Sequence, residues 1–183
     1  MKQILEGNLA GDEMESLFDF FRCINVCHDC IQIADKKGNL QYNGPSVDEV
    51  ALLEMARDSE FSKFVSRDAD STKILVNGQE ETYKVIKVFP FTSERKAMSI
   101  VVKHPEKENT AICFVKGADS SVFPMCLGYG GKEDLEGDHP NQNIAQIEAR
   151  VESMASKGLR TLLYAKKEIV WDGSIDMLDW TVE

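Results

Sequence analysis

Between residues 72 and 116, four stretches rich in β-branched residues follow one another, separated by turn and loop signals. They restrict the fold more than anything else in the chain. Lys73-Ile-Leu-Val-Asn77-Gly78 ends on Asn-Gly, the dipeptide best suited to the left-handed positions of a tight hairpin turn. Thr82–Phe89 and Ala97–Lys103 follow as strands, His104–Asn109 is a loop around Pro105, and Thr110–Lys116 is the return strand. Pro90 has no N–H to give a ladder, so it belongs at an edge or in a bulge between strands.

Helical patterns flank this block. Residues 14–33 place Leu17, Phe21, Ile24 and Cys27 at helical spacing, and Asp35-Lys-Lys-Gly38-Asn39 reads as a turn. Ser46 with Glu49 three positions later is a capping box, opening a second helix with apolar Val50, Leu53 and Ala56. A helix is expected over 142–157, with Ile144, Ile147, Val151 and Met154 on one face and Gly158 to end it. Leu159–Ala165 reads as a further strand, and residues 127–143 read as a flexible insertion. With no internal repeat and no dividing linker, residues 1–183 are expected to form one α+β domain, a mostly antiparallel sheet flanked by helices.

Charge and composition narrow the function classes. The 31 acidic against 21 basic residues give a net charge of −10, which argues against a nucleic-acid backbone as partner. A local basic pocket could still hold one small phosphate ligand. No apolar run approaches the roughly 18–20 residues of a membrane helix, and the first residues lack the apolar stretch of a signal peptide. Three of five cysteines crowd into Cys23-Ile-Asn-Val-Cys27-His28-Asp29-Cys30. A metal reading would use Cys23, Cys27, His28 and Cys30, but structural zinc sites usually come as two separated ligand pairs. Cys23 and Cys27 also share a helical face with Leu17, Phe20, Phe21 and Ile24, where a reduced cysteine is a small core residue, and a reducing, cytosolic setting follows.

The sequence has no Gly-x-x-x-x-Gly-Lys-Ser/Thr phosphate loop, no histidine near a nucleophile and no compact carboxylate cluster, so nothing in it performs a bond-breaking step alone. What it does have is Phe91-Thr-Ser-Glu-Arg-Lys96-Ala-Met-Ser99 followed by Phe114-Val-Lys116-Gly117-Ala-Asp119. An aromatic ring, two lysines and a glycine on neighbouring strand ends can hold something flat and anionic, and a nucleotide fits. Taken singly, each residue has a plainer use. Spacing alone favours Phe91 as core packing beside Phe89, Lys96 and Lys116 as solvated lysines, and Glu49 as a helix cap; Gly117 could end its strand for local reasons, and Arg160 could equally make a surface ion pair.

The same strings resemble the nucleotide-binding domain of P-type ATPases, specifically the phospholipid-flippase class. Phe20-Phe21-Arg22…Cys27-His28 resembles the first helix of that domain, and Tyr42-Asn-Gly-Pro-Ser46-Val-Asp48-Glu49-Val-Ala51-Leu52 its Ser-Pro-Asp-Glu-x-Ala-Leu segment. Phe91-Thr-Ser-x-Arg-Lys96-x-Met98-Ser99, Lys116-Gly-Ala-Asp119 and Gly158-Leu-Arg160-Thr161-Leu162 complete the series in order. Asp119 and Thr92-Ser93 look like flippases, since ion-pumping relatives usually have Pro-Glu after Lys-Gly-Ala; Val47 and Ala97 depart from the pattern.

The resemblance implies that Phe91 stacks on adenine, that Glu49 lies at the adenine edge, and that Ser93, Lys96, Lys116 and Gly117 line the site. It also implies that Arg160, with Thr161 beside it, reaches the phosphates. ATP is then the ligand, with Mg2+ expected in the full enzyme through ligands largely outside this chain. The Asp-Lys-Thr-Gly segment that carries the phosphorylated aspartate, the actuator motif and the membrane helices are not in this sequence. The resemblance therefore implies a fragment on the cytosolic face of a membrane, working with phosphorylation and actuator domains, membrane helices and an accessory subunit. The alternatives are the nucleotide domain of an ion-pumping relative, or an acidic interaction module with a metal site at the cysteine cluster.

Overall fold

The computed structural model describes residues 9, 11–126 and 144–173; the expected insertion at 127–143 lies outside them. Helix α1 runs over Gly11–Val26 and is followed by a hairpin of β1 (Ile31–Ala34) and β2 (Leu40–Asn43). Helix α2 spans Val47–Asp58. Then β3 (Ser62–Arg67), β4 (Ser71–Val76), β5 (Gln79–Phe89), β6 (Ala97–Lys103), β7 (Thr110–Gly117) and β8 (Leu163–Val170) form a six-stranded sheet in sequence order, every neighbouring pair antiparallel. The short helix α3 (Asp119–Val122) leaves the end of β7, and α4 (Ile144–Ala155) precedes β8. The architecture is the expected α+β.

The Asn77-Gly78 turn is as its chemistry requires, with φ of 48° and 80° at the two corner residues. Several boundaries differ from those expected. The helix expected over 14–33 stops at Val26, because Ile31-Gln-Ile-Ala34 pairs with Leu40–Asn43 across the turn closed by Asp35. The Asp35 carboxylate accepts from the N–H groups of Lys37 and Asn39 at 2.7 and 2.8 Å, and Gly38 adopts φ +83°. Strand β3 was not legible in Ser62-Lys-Phe-Val-Ser-Arg67, whose buried residues are interrupted by charge. The last strand begins at Leu163, so Arg160 and Thr161 lie in the irregular segment before it.

One face of the sheet carries Ile74, Tyr83, Met98, Ile100, Val102, Ile112 and Phe114, packed against Cys23, Val26 and Cys27 of α1. A second cluster joins Phe21 and Ile24 to Leu53 and Ala56 of α2, to Tyr42 of the hairpin and to Phe61 and Phe64 around β3. A smaller one gathers Ala97, Val115 and Val122 at one end. Side chains alternate along a strand, so Lys116, two residues past Phe114, emerges on the face that α1 and α2 cover. That places a cation at the end of a buried row.

Candidate nucleotide site

Antiparallel pairing brings four strand ends to one edge of the sheet. Phe89 pairs with Ser99, Ala97 with Gly117, and Gly117 with Leu163. The segments just beyond those pairs carry Phe91, Ser93 and Lys96 on one side of Gly117, and Arg160 and Thr161 on the other. Six residues spread over seventy positions of sequence thus converge through register alone.

Phe91 does not join the core. Its ring is 58% exposed, so the packing role beside Phe89 that spacing favoured is set aside. Pro90 ends β5, and the segment then folds into a turn in which Lys96 N–H donates to Thr92 O at 2.8 Å and Arg95 N–H to Thr92 Oγ1 at 3.2 Å. The Arg95 guanidinium lies 5.7 Å from the centre of the Phe89 ring and donates to Ser99 Oγ at 2.9 Å, anchoring the turn from behind. Lys96 takes φ +49°, a left-handed conformation unusual for a lysine, and its side chain is exposed without an ion pair among the described residues. Ser93 is exposed as well.

Gly117 is required here by close backbone approach. A Cβ would fall 2.5 Å from Lys96 O and 2.8 Å from Ala97 Cα, and Ala118 N–H donates to that same Lys96 oxygen at 2.9 Å. The glycine therefore seats the Phe91–Lys96 turn against the end of β7.

Below this edge, Lys116 Nζ donates to Glu49 Oε1 in an ion pair whose side chains are 9% and 10% exposed. Lys116 is not the solvated lysine that spacing favoured. Ser46 Oγ accepts from Glu49 N–H at 3.4 Å, which is one half of the expected capping box. The other half is absent because the Glu49 carboxylate turns to Lys116 through Oε1 and, through Oε2, accepts from Asp29 N–H at 3.0 Å and Cys30 Sγ at 3.6 Å. Neutralising a cation that would otherwise be buried alone outweighs a reciprocal cap, worth about 1 kcal/mol.

Arg160 is 79% exposed and contacts Asp48 Oδ2 at 2.8 Å, which draws the segment before β8 over the start of α2. Thr161 beside it is half-buried.

The cysteines behave as core residues. Cys23 and Cys27 pack in the sheet cluster and Cys30 in the other. Burial pushes the Cys27 thiol up to about 12 and Cys23 well above its usual value; burial and the adjacent Glu49 carboxylate push Cys30 up to about 12. Thiols held protonated are poor metal ligands. Among the described residues no three His, Cys, Asp or Glu side chains group as a metal site. His28 also faces inward, its Nε2–H donating to Asn25 O at 3.0 Å and its Nδ1 accepting from Cys30 N–H at 3.0 Å. The roles of Asp29, Cys30 and Asp48 around Glu49 and Arg160 carried no signal in the sequence beyond adjacency.

Comparison with known proteins identifies the family. The family described as P-type ATPase, cytoplasmic domain N, matches residues 16–180. A phospholipid-transporting ATPase of Schizosaccharomyces pombe is 32% identical over 178 residues, covering 97% of this chain and 12% of that protein. Phospholipid-transporting ATPase IC of Xenopus tropicalis is 32% identical over 166 residues, covering 91% of this chain and 12% of that protein. Phospholipid-transporting ATPase FetA of Mus musculus is 30% identical over 172 residues, covering 92% and 13%. The chain thus spans about an eighth of the length of the curated relatives it matches.

Proposed function

This chain belongs to the P-type ATPase family as its cytoplasmic domain N, and on that footing we propose that residues 1–183 are the single ATP-binding domain of a phospholipid-translocating P-type ATPase. The observation that carries the reading is the exposed Phe91 ring set at the sheet edge where Lys96, the Glu49–Lys116 pair and Arg160 converge. An aromatic face left in water beside cations suits an adenine carrying phosphates; stacking of a base on such a ring contributes about 1–3 kcal/mol.

In this reading Phe91 stacks on adenine and Glu49 accepts from its amino group. The carboxylate has room for both tasks, since its two oxygens offer about four acceptor positions and three neighbours already use part of them. Lys116 holds that carboxylate in place. Ser93, Lys96 and the backbone at Gly117 line the base and sugar, while Arg160, tethered by Asp48 and exposed enough to swing, meets the phosphates with Thr161. Mg2+ bound with the triphosphate would lower the charge at the γ-phosphate; Asp48 and Glu49 are engaged with cations of the chain, in keeping with metal ligands largely outside it.

The domain's contribution is then positioning. It grips the base and directs the γ-phosphate to an aspartate of the phosphorylation domain. That carboxylate attacks phosphorus, an O–P bond forms, the bond to the β-phosphate oxygen breaks, and ADP leaves. The phospholipid assignment rests on Thr92-Ser93 and Asp119, together with the relatives' transport of phospholipid.

Titration of ATP, AMP and GTP into the isotope-labelled domain, followed by amide shifts, tests the reading. Saturable adenine-selective shifts around Phe91 and Lys116, lost in Phe91→Ala, are expected. A folded protein silent at millimolar ATP overturns it.

A further inference from the structure

Arg67, at the end of β3, is a mostly buried cation with no ion pair among the described residues. Its guanidinium donates from Nη1 to the carbonyl of His28, from Nη2 to that of Val26, and from Nε to Thr72 Oγ1 at 2.9 Å. It also lies over the Phe64 ring, 5.8 Å from its centre. Burying a guanidinium with no carboxylate in contact is costly; burial pulls its pKa down, and the nearby Asp29 and Glu49 carboxylates offset this in part. Such a cost calls for a use that carbonyl bonding supplies. Val26 is the last residue of α1, a helix with no basic residue in its final turn, so Arg67 satisfies its terminal carbonyl and complements the negative end of the helix dipole.

The consequence reaches the nucleotide site. The two carbonyls bracket the bend at residues 27–29, where α1 gives way to the hairpin. Within that bend the His28 ring is locked by Asn25 O and Cys30 N–H, and Asp29 N–H and Cys30 Sγ both point at Glu49 Oε2. Gly44 closes the other side of the thiol, since a Cβ there would sit 2.5 Å from Cys30 Sγ. The chain of contacts runs from Arg67 through the bend to one oxygen of Glu49, while Lys116 holds the other.

We propose that Arg67 is a positioning residue for nucleotide binding: by fixing the 27–30 bend it presents Asp29 N–H and the Cys30 thiol to Glu49 and so sets where the Glu49–Lys116 pair stands. The proposal rests on the nucleotide reading above, because Glu49 is the group through which Arg67 would be felt.

The test compares wild type, Arg67→Lys and Arg67→Met, with Glu49→Gln as the reference for loss of the carboxylate. Three quantities are read: thermal unfolding, ATP affinity, and the Asp29 amide proton shift; because His28 O and Asp29 N–H share one peptide group, only the part of the shift that Arg67 substitution causes in wild type and not in the Glu49→Gln background reports the bond to Glu49. Arg67→Met, and Arg67→Lys less so, are expected to weaken ATP binding about tenfold, the size of one hydrogen bond to a charged group, and to shift the Asp29 amide toward its Glu49→Gln position. In the Glu49→Gln background the Arg67 substitution should weaken ATP no further. If Arg67→Met does not fold, Arg67→Lys decides, with a loss of about two- to threefold and a displaced Asp29 amide expected. A wild type that binds no ATP overturns the nucleotide reading and this role with it. A wild type that binds ATP, with folded variants matching it in affinity and in the Asp29 signal, overturns the role of Arg67 alone.

Discussion

The two ends of the six-stranded sheet both carry many charged residues, and they use them in opposite ways. At the end away from Phe91, Arg22 contacts Glu15, Asp19 and Glu81 at 2.6–3.1 Å, Lys166 contacts Asp19 at 2.5 Å, and Lys107 contacts Glu168 at 2.6 Å. These groups line a concavity of about 290 Å³ yet neutralise one another. At the Phe91 end the accounts are left open. Lys96 has no ion pair among the described residues, the Phe91 ring faces water, and Arg160 holds Asp48 at a largely exposed position. A set of charges that satisfies itself stabilises a fold, whereas one that leaves the Phe91 ring and the Lys96 cation uncommitted is free to meet a ligand.

The largest effect expected from this contrast lies in the one site-end pair that is closed. Lys116→Met leaves the nearly buried Glu49 carboxyl without its cation, which costs about 3–5 kcal/mol of stability, measurable by urea unfolding. Replacing both with apolar residues of similar volume should return most of that loss while abolishing ATP binding. A double variant as unstable as the single would show that the pair is itself a source of stability.

Next come two substitutions that should dissociate the ends. Arg22→Ala strips the shared partner of three carboxylates and should cost about 2–3 kcal/mol of stability, with ATP affinity unchanged. Phe91→Ala should do the reverse, weakening ATP by about 1–3 kcal/mol while moving stability by less than about 0.5 kcal/mol. If Arg22→Ala weakened ATP as much as Phe91→Ala does, the division between the ends would be wrong.

How far the sequence discloses this contrast depends on the kind of information involved. Strand content and the Asn77-Gly78 hairpin are local, set by β-branched runs and one turn dipeptide, and they were legible, as was Ser46 as the cap of α2. The resemblance of the motif series to P-type ATPases was legible too. What was not legible is which way side chains are drawn by distant partners. Glu49 reads as a cap because Ser46 is three positions away, yet Lys116, sixty-seven positions on, takes its carboxylate. Phe91 reads as core packing beside Phe89, but Pro90 ends the pairing that would have buried it. The cysteines, by contrast, were legible: Cys23 and Cys27 read as core residues of the first helix and pack in the sheet cluster, while Cys30, past the end of α1 at Val26, packs in the other. Arg67 carried no signal at all, because its worth lies in two carbonyls forty positions earlier.

The 27–30 bend makes a pH-dependent prediction of intermediate size. Burial, reinforced by the Arg67 and Lys116 cations, holds His28 well below the ordinary imidazole value. The unfolded chain then takes a proton near pH 6.5 that the folded protein refuses, so stability is full above that pH. It falls below it, by at most about 1.4 kcal/mol per pH unit, until the folded pKa is reached. His28→Gln should flatten this part of a stability–pH curve measured between pH 7 and 5. An unchanged slope would assign the acid sensitivity to other groups, among them His104, whose pKa burial also lowers.

The smallest effect on folding, and the sharpest test of the open end, belongs to Arg160. Its contact with Asp48 is mostly in water, so Arg160→Ala should change stability by less than about 1 kcal/mol. If the guanidinium leaves Asp48 to meet phosphates, the loss should appear in ATP affinity and be nearly absent for AMP, so the ratio of the two affinities is the quantity to measure. The tether gives this a second arm. Asp48 competes with the phosphates for one guanidinium, so Asp48→Asn should leave AMP binding unchanged and strengthen ATP binding by a few-fold at most, since the contact it removes contributes less than about 1 kcal/mol. Opposite signs from the two substitutions, both confined to ATP, would place Arg160 among the uncommitted charges. Equal losses for ATP and AMP in Arg160→Ala would mean that it holds the base end of the site, and the contrast between the two ends of the sheet would then rest on Phe91 and Lys96 alone.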